Sequence, residues 1–156
     1  MNNDYILIFP YARKLRNEKV NPKNFPFWKE LIKLLNNNLI IQAGIEGEEQ
    51  LVPNFYKNKS LNEVKDLIKN CKFWISVDSA GPHIAHHISK PGVVIWSISD
   101  PLIFGYPENL NILKDRKYLR KSQFELWEQA EHSTEPFLSA QEVFEIISKH
   151  FNLQSP

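Results

Sequence analysis

Phe73–Trp96, FWISVDSAGPHIAHHISKPGVVIW, is the stretch whose reading decides the fold. Phe73 to Val77 is an apolar, β-branched and aromatic run that turns polar at once at Asp78 and Ser79, as a buried strand does at its carboxyl edge. Gly81 suits a helix N-cap and Pro82 the first helical position, and Ile84, Ala85 and Ile88 follow at helical spacing. Pro91 and Gly92 end that helix, and VVIW reads as a second buried strand. A turn of this kind sets free backbone N–H groups and the positive end of a helix dipole beside Asp78, Ser79 and His83. Such a place receives an anion. The same residues equally suit a plain helix cap and a solvated histidine.

Outward from this unit the chain repeats the pattern. YILIF, Tyr5 to Phe9, is a first buried strand ended by Pro10. A basic loop over residues 11–24 follows, in which Arg13, Lys14, Arg16, Lys19 and Lys23 face one opposing charge, Glu18. A flexible basic loop at a strand's carboxyl end is placed to neutralise a diphosphate, although charge runs also serve as solvated surface. Trp28, Leu31, Ile32 and Leu35 then mark a helix, and Asn38 to Ala43 a second strand closed by Gly44. Beyond Gly44, Glu46, Glu48 and Glu49 suit either a sugar diol or the first turn of a helix. Ser60 with Glu63 forms a capping box ahead of the stripe Leu61, Val64, Leu67 and Ile68. The order β, α, β, α, α, β, α, β predicts one α/β domain over residues 1–156, a Rossmann-like, doubly wound parallel sheet with ligands at its carboxyl edge. After Trp96, Asp100, Pro101, Gly105 and Pro107 predict an irregular segment. A second capping box, Ser139 with Glu142, opens a terminal amphipathic helix, so that residues 122–151 read as a helical closure over the sheet.

The 156 residues suffice for one core. A net charge of +1 gives no pull toward nucleic acid, even with Lys114, Arg116, Lys117, Arg120 and Lys121 clustered around Tyr118. The single cysteine, Cys71, excludes an internal disulfide and reads as a small buried residue. The opening MNNDYILIFP has too short an apolar run for a signal peptide, and no segment is long enough for a membrane span. These features together read as cytoplasmic.

The central motif resembles the signature of glycosyltransferase family 9, the ADP-heptose:lipopolysaccharide heptosyltransferases, of form D-[S/T]-G-x-x-H-x-x-A-A followed by a Pro. Asp78, Ser79 and His83 match in type and spacing, while Ala80 stands where the family has glycine and Gly81 comes one residue late. Lys23-Asn24-Phe25-Pro26 resembles the family's K-x-W-P segment, with Lys19-Val20-Asn21-Pro22 offering the same spacing earlier. Ser97, Ser99, Asp100 and Pro101 resemble a loop that borders the nucleotide in the family.

The resemblance implies the carboxyl-terminal, donor-binding half of a GT-B glycosyltransferase. Lys23 and the turn Ser79, Ala80, Gly81, Pro82, His83 would hold the diphosphate of a nucleotide sugar, an ADP-sugar by family, and stabilise the leaving nucleotide without a metal. Asp78, Ser99 and Asp100 would contact the donor, Glu48 the ribose, and Arg13 and Lys19 would add positive charge. The acceptor's base belongs, in that family, to an amino-terminal domain, so a second chain or a homo-oligomer would supply it, or the protein binds a nucleotide without transferring anything. A third reading, metal ligation by His83, His86 and His87 with Asp78, is disfavoured because His86 is rotated off the shared face and no H-E-x-x-H occurs. No metal is expected.

Overall fold

The computed structural model describes residues 4–153. Met1–Asn3, part of the opening read above against a signal peptide, lie outside the described residues, as do Gln154–Pro156. The strands β1 (Tyr5–Phe9), β2 (Leu39–Gly44), β3 (Asn54–Lys57), β4 (Phe73–Val77), β5 (Val93–Ile95) and β6 (Leu110–Ile112) form a single sheet of order β3-β2-β1-β4-β5-β6. Every pairing is parallel. At the centre, β1 is flanked on one side by β2, with Ile8 opposite Gln42, and on the other by β4, with Ile8 opposite Ile75.

Strand periodicity assigns each side chain to one of two cores. Ile6, Ile8, Phe73 and Ile75 point to the layer made by α1 (Trp28–Leu34) and α5 (Ala140–Phe151), where Trp28, Leu31, Val143, Phe144 and Ile147 are buried. Tyr5, Leu7, Phe9 and Trp74 point the opposite way, toward α2 (Leu61–Asn70) and α3 (Ala80–His87), with Ile68 and Ala85. The sheet is therefore doubly wound. Each large aliphatic side chain so buried is worth about 1.5–3 kcal/mol before chain entropy is subtracted. No helix among the described residues is long and apolar enough to cross a membrane.

Both capping boxes form: Ser60 accepts from the Glu63 amide at 3.2 Å and Ser139 from the Glu142 amide at 3.1 Å, with the glutamates returning the bond. Replacing either serine by alanine should cost about 1 kcal/mol and lower the melting temperature by roughly 2–4 °C, read by circular dichroism.

Four local expectations are corrected. The carboxylate-rich segment after Gly44 is a turn, with Gly47 at φ +94°, leading into the edge strand β3 rather than a helix. Gln42, fully buried, holds that segment extended by donating to the Glu49 carbonyl at 2.9 Å and accepting from the Leu51 amide at 2.8 Å. Residues Pro101–Phe104 form a one-turn helix, α4, because Asp100 caps it through the Leu102 amide and Pro101 occupies its first turn, where proline is favoured. Residues 122–139 do not belong to the helical closure. They hold a 3-10 turn at Trp127–Gln129 but no α-helix, and the closing helix begins at Ala140.

The fourth correction concerns the central motif. Helix α3 starts at Ala80 with Ser79 as its cap residue, so Gly81 and Pro82 lie inside the first turn. Gly81 is needed there for contact rather than for capping. A Cβ at Gly81 would stand 2.9 Å from the Phe9 ring, so only glycine lets α3 settle against the end of β1.

Candidate functional site

The strand order reverses between β1 and β4, since the connections β1 to β2 and β4 to β5 leave in opposite directions. In a parallel sheet this parting of the loops opens a crevice beyond the carboxyl ends. A cleft of about 1160 Å³ lies there, walled by Phe9 and Tyr11 at the end of β1, Gly44 and Glu48 at the end of β2, and Asp78 to Gly81 after β4.

Its floor is the start of α3. The side chain of Ser79 makes no capping bond and turns back instead, 3.2 Å from Ser76 Oγ and 3.3 Å from the Val77 carbonyl. The first amides of the helix are thus left without a side-chain acceptor, and Pro82 has none to offer. Over this floor Lys23 Nζ lies 3.1 Å from Asp78 Oδ2, with the two side chains 17% and 10% exposed. The contact is ionic and not a directed hydrogen bond, because Oδ2 is buried and accepts none. An ammonium group held by a carboxylate's charge, beside helix amides that no side chain caps, is suited to meet an anion.

The basic loop that delivers Lys23 is less free than its composition suggests. Asn24 accepts from the Ala12 amide at 2.8 Å, while Asn21 donates to the Arg13 carbonyl at 2.8 Å and accepts from the Lys23 amide at 3.0 Å. Ser97 at the end of β5 donates to the Pro22 carbonyl at 3.2 Å. These bonds fix the Lys23 backbone beside the sheet edge. Lys19, on the outer part of the loop, does not line the cleft.

Of the residues named from the sequence, Arg13, Lys23, Glu48, Asp78, Ser79, Ala80 and Gly81 line the cleft. Pro82, His83, Ser99 and Asp100 do not. His83 is exposed on the flank of α3, where Nδ1 meets the Tyr106 hydroxyl at 2.6 Å. Its neighbour His86 stacks on Tyr106 and contacts Glu108. No group of three or more His, Cys, Asp or Glu side chains among the described residues converges as a metal site. Ser99 is buried, and Asp100 is engaged by Arg116 through two bonds of 3.0 and 2.8 Å. The guanidinium beside it holds the Asp100 carboxyl below the usual carboxylate range. Asp100→Asn should therefore lower the melting temperature by a few degrees while leaving nucleotide affinity within about twofold, as calorimetric titration would show.

Glu48 folds back over Gly44 to accept from the Ile45 amide at 2.8 Å, a path that a Cβ at Gly44 would block. Burial pushes its carboxyl upward, and the Ile45 bond opposes that. Among the cleft residues not singled out from the sequence, Tyr11 and Trp127 bear most on its chemistry. Tyr11 is pushed up to about 12, by burial first and then by the charges of Glu49 and Glu48, and so remains a neutral hydroxyl. Trp127, from the 3-10 turn, carries both Lys23 at 4.4 Å and the Arg120 guanidinium at 4.2 Å over its ring. The sequence signal for Tyr11 was its place directly after strand and proline; nothing local marks Trp127.

A doubly wound parallel sheet with a cleft at its switch point defines an α/β domain of the Rossmann-like type. Residues 1–133 match glycosyltransferase family 9 (heptosyltransferase), and the chain belongs to that family. It is similar to lipopolysaccharide heptosyltransferase 1 of Salmonella typhimurium (strain LT2), with 30% identity over 115 residues, 64% of this chain and 36% of that protein. The fold is that of the E. coli ADP-heptose lps heptosyltransferase II structure, at a TM-score of 0.68 and 18% identity, over 97% of this chain and 47% of that one. The chain thus spans about a third of the curated relative and just under half of the solved one.

Proposed function

We propose that this chain binds a nucleoside diphosphate sugar in the cleft between β1 and β4 and acts as the donor-binding half of a metal-independent GT-B glycosyltransferase. The observation that carries this reading is the Lys23–Asp78 contact, 3.1 Å long, above the uncapped start of α3. The diphosphate would replace the carboxylate as partner of the Lys23 ammonium and accept from the first amides of α3. As the sugar–oxygen bond breaks, negative charge grows on the departing diphosphate, where ammonium and helix amides stabilise it most. Arg13 adds positive charge, and the Glu48 carboxylate suits the ribose hydroxyls. An ADP-sugar, of the kind named for the E. coli structural relative, is the donor we favour.

The two carboxylates nearest the start of α3 and the strand end of β2, Asp78 and Glu48, are already engaged. Asp78 faces Lys23 and Glu48 faces the Ile45 amide, so neither is placed as the base for an acceptor hydroxyl. In the transferase reading, a second domain or chain, or a second copy, would supply that base. The same observation favours a second reading, in which the 156 residues alone bind the nucleotide and transfer nothing. Thermal shift against ADP, UDP, GDP and CMP, with and without a sugar, followed by a turnover assay, separates these. Stabilisation by nucleoside diphosphates without sugar release marks the binder, sugar release the enzyme. No stabilisation by any of them sinks the donor site.

A further inference from the structure

Trp127 stands apart from the other tryptophans. Trp28, Trp74 and Trp96 are buried and each donates its indole N–H within the domain. Trp127 is half-buried, lies on a short turn far along the chain, and forms a wall of the cleft. Its ring meets two cations, Lys23 at 4.4 Å and Arg120 at 4.2 Å. Arg120 is in turn bound to that turn's own approach, donating to the Ser122 carbonyl at 3.0 Å and the Leu126 carbonyl at 3.3 Å. The turn is also tied to the basic loop, since Arg16 reaches Glu128 at 3.8 Å and Asn17 donates to the Glu128 carbonyl at 3.5 Å.

These contacts give the indole a task that neither the loop nor the sheet can perform. A lysine ammonium rides on four methylenes and is placed by its surroundings, not by its backbone. Asp78 attracts it from the floor of the cleft, and an incoming diphosphate takes over that attraction. The indole face is the other group against which the structure sets this ammonium, and it does not leave with that exchange. Because the ring's attraction is electrostatic and largest for a desolvated cation, it acts on a side chain as buried as Lys23.

We propose that Trp127 is a positioning residue for the donor diphosphate, keeping the Lys23 ammonium over the start of α3 through its aromatic face. The proposal rests on the donor-site reading above and adds a residue to it.

The test titrates ADP, with inorganic pyrophosphate as a base-free probe, calorimetrically into the full chain and its W127A, W127L, W127F, K23A and K23A/W127A variants. Circular dichroism confirms that each is folded at the titration temperature. W127A and W127L should bind about threefold to tenfold more weakly, W127F within about twofold of the parent, and K23A/W127A no more weakly than K23A. Leucine fills the space without an aromatic face, so equal binding by W127L and W127F overturns the proposal. A further loss on adding W127A to K23A overturns it too, since the indole would then act on the ligand directly or through Arg120. Parent-like binding by W127A overturns it while leaving the donor site intact. Parent-like binding by K23A removes the lysine from the donor site and this proposal with it.

Discussion

Gly92→Ala should be the most damaging single methyl group that this domain can receive. Gly92 leads into β5 beside the Trp74 indole, and a Cβ there would stand 2.1 Å from Cε2 and 2.2 Å from Cδ2. Trp74 is fully buried and its Nε1 donates to the Lys90 carbonyl at 3.0 Å, so the indole has no direction in which to give way. Overpacking of this kind costs about 3 kcal/mol, equivalent to a fall of roughly 6–12 °C in melting temperature for a domain of this size. The mechanism has its own check. In the Trp74→Phe background the ring is smaller, and the alanine should then cost distinctly less, a non-additivity that chemical denaturation of the four proteins measures directly. Equal costs in both backgrounds would place the damage in the backbone instead of the ring.

Lys23→Ala should produce the largest change in ligand binding. A charged donor to a phosphate oxygen contributes about 1.5–3 kcal/mol, so ADP affinity should fall by roughly tenfold to a hundredfold or more. The loss has two parts, because the substitution removes an attraction and also bares the Asp78 carboxylate to the incoming anion. Lys23→Ala combined with Asp78→Asn should therefore recover part of the affinity, and the salt dependence of binding should shrink in both. The single variant should also melt several degrees lower, since it leaves a nearly buried carboxylate without its cation. Binding that stays within twofold of the parent would remove Lys23 from the site.

The buried centre of the sheet was legible in the sequence. β1 and β5 are continuous apolar runs and β4 is broken only by Ser76, and they are closed by Pro10, the polar turn after Trp96 and Asp78, which is what strands covered on both faces require. The two capping boxes were equally plain, because each is a bond between residues three apart. The sheet's edges were not. β3 is mostly exposed, and β6 is only partly buried with Asn111 at its centre, so neither carries a strong pattern, and the approach to β3 is shaped by Gln42 from the neighbouring strand.

The same division runs through the site. Lys23, Asp78 and Ser79 stood out because strand ends and charge are local features. The placement of Gly81 was misread because Phe9, distant in sequence, decides it. His83 faces Tyr106 because of how β6 and its approach cover the flank of α3, and Trp127 reaches Lys23 only through the return of the tail across the sheet edge. Neither could be inferred from spacing.

The central pairing of β1 with β4 joins two halves of the polypeptide that are remote in sequence. Lys23 descends from one and Asp78 from the other, so the proposed anion-receiving arrangement forms only when that seam is closed. A nucleotide occupying it should slow hydrogen exchange across Leu7, Ile8, Trp74 and Ile75 together, deep in the sheet, and not merely at the surface it touches. Protection confined to a few surface amides would show that the guest had settled on one flank without drawing the seam shut.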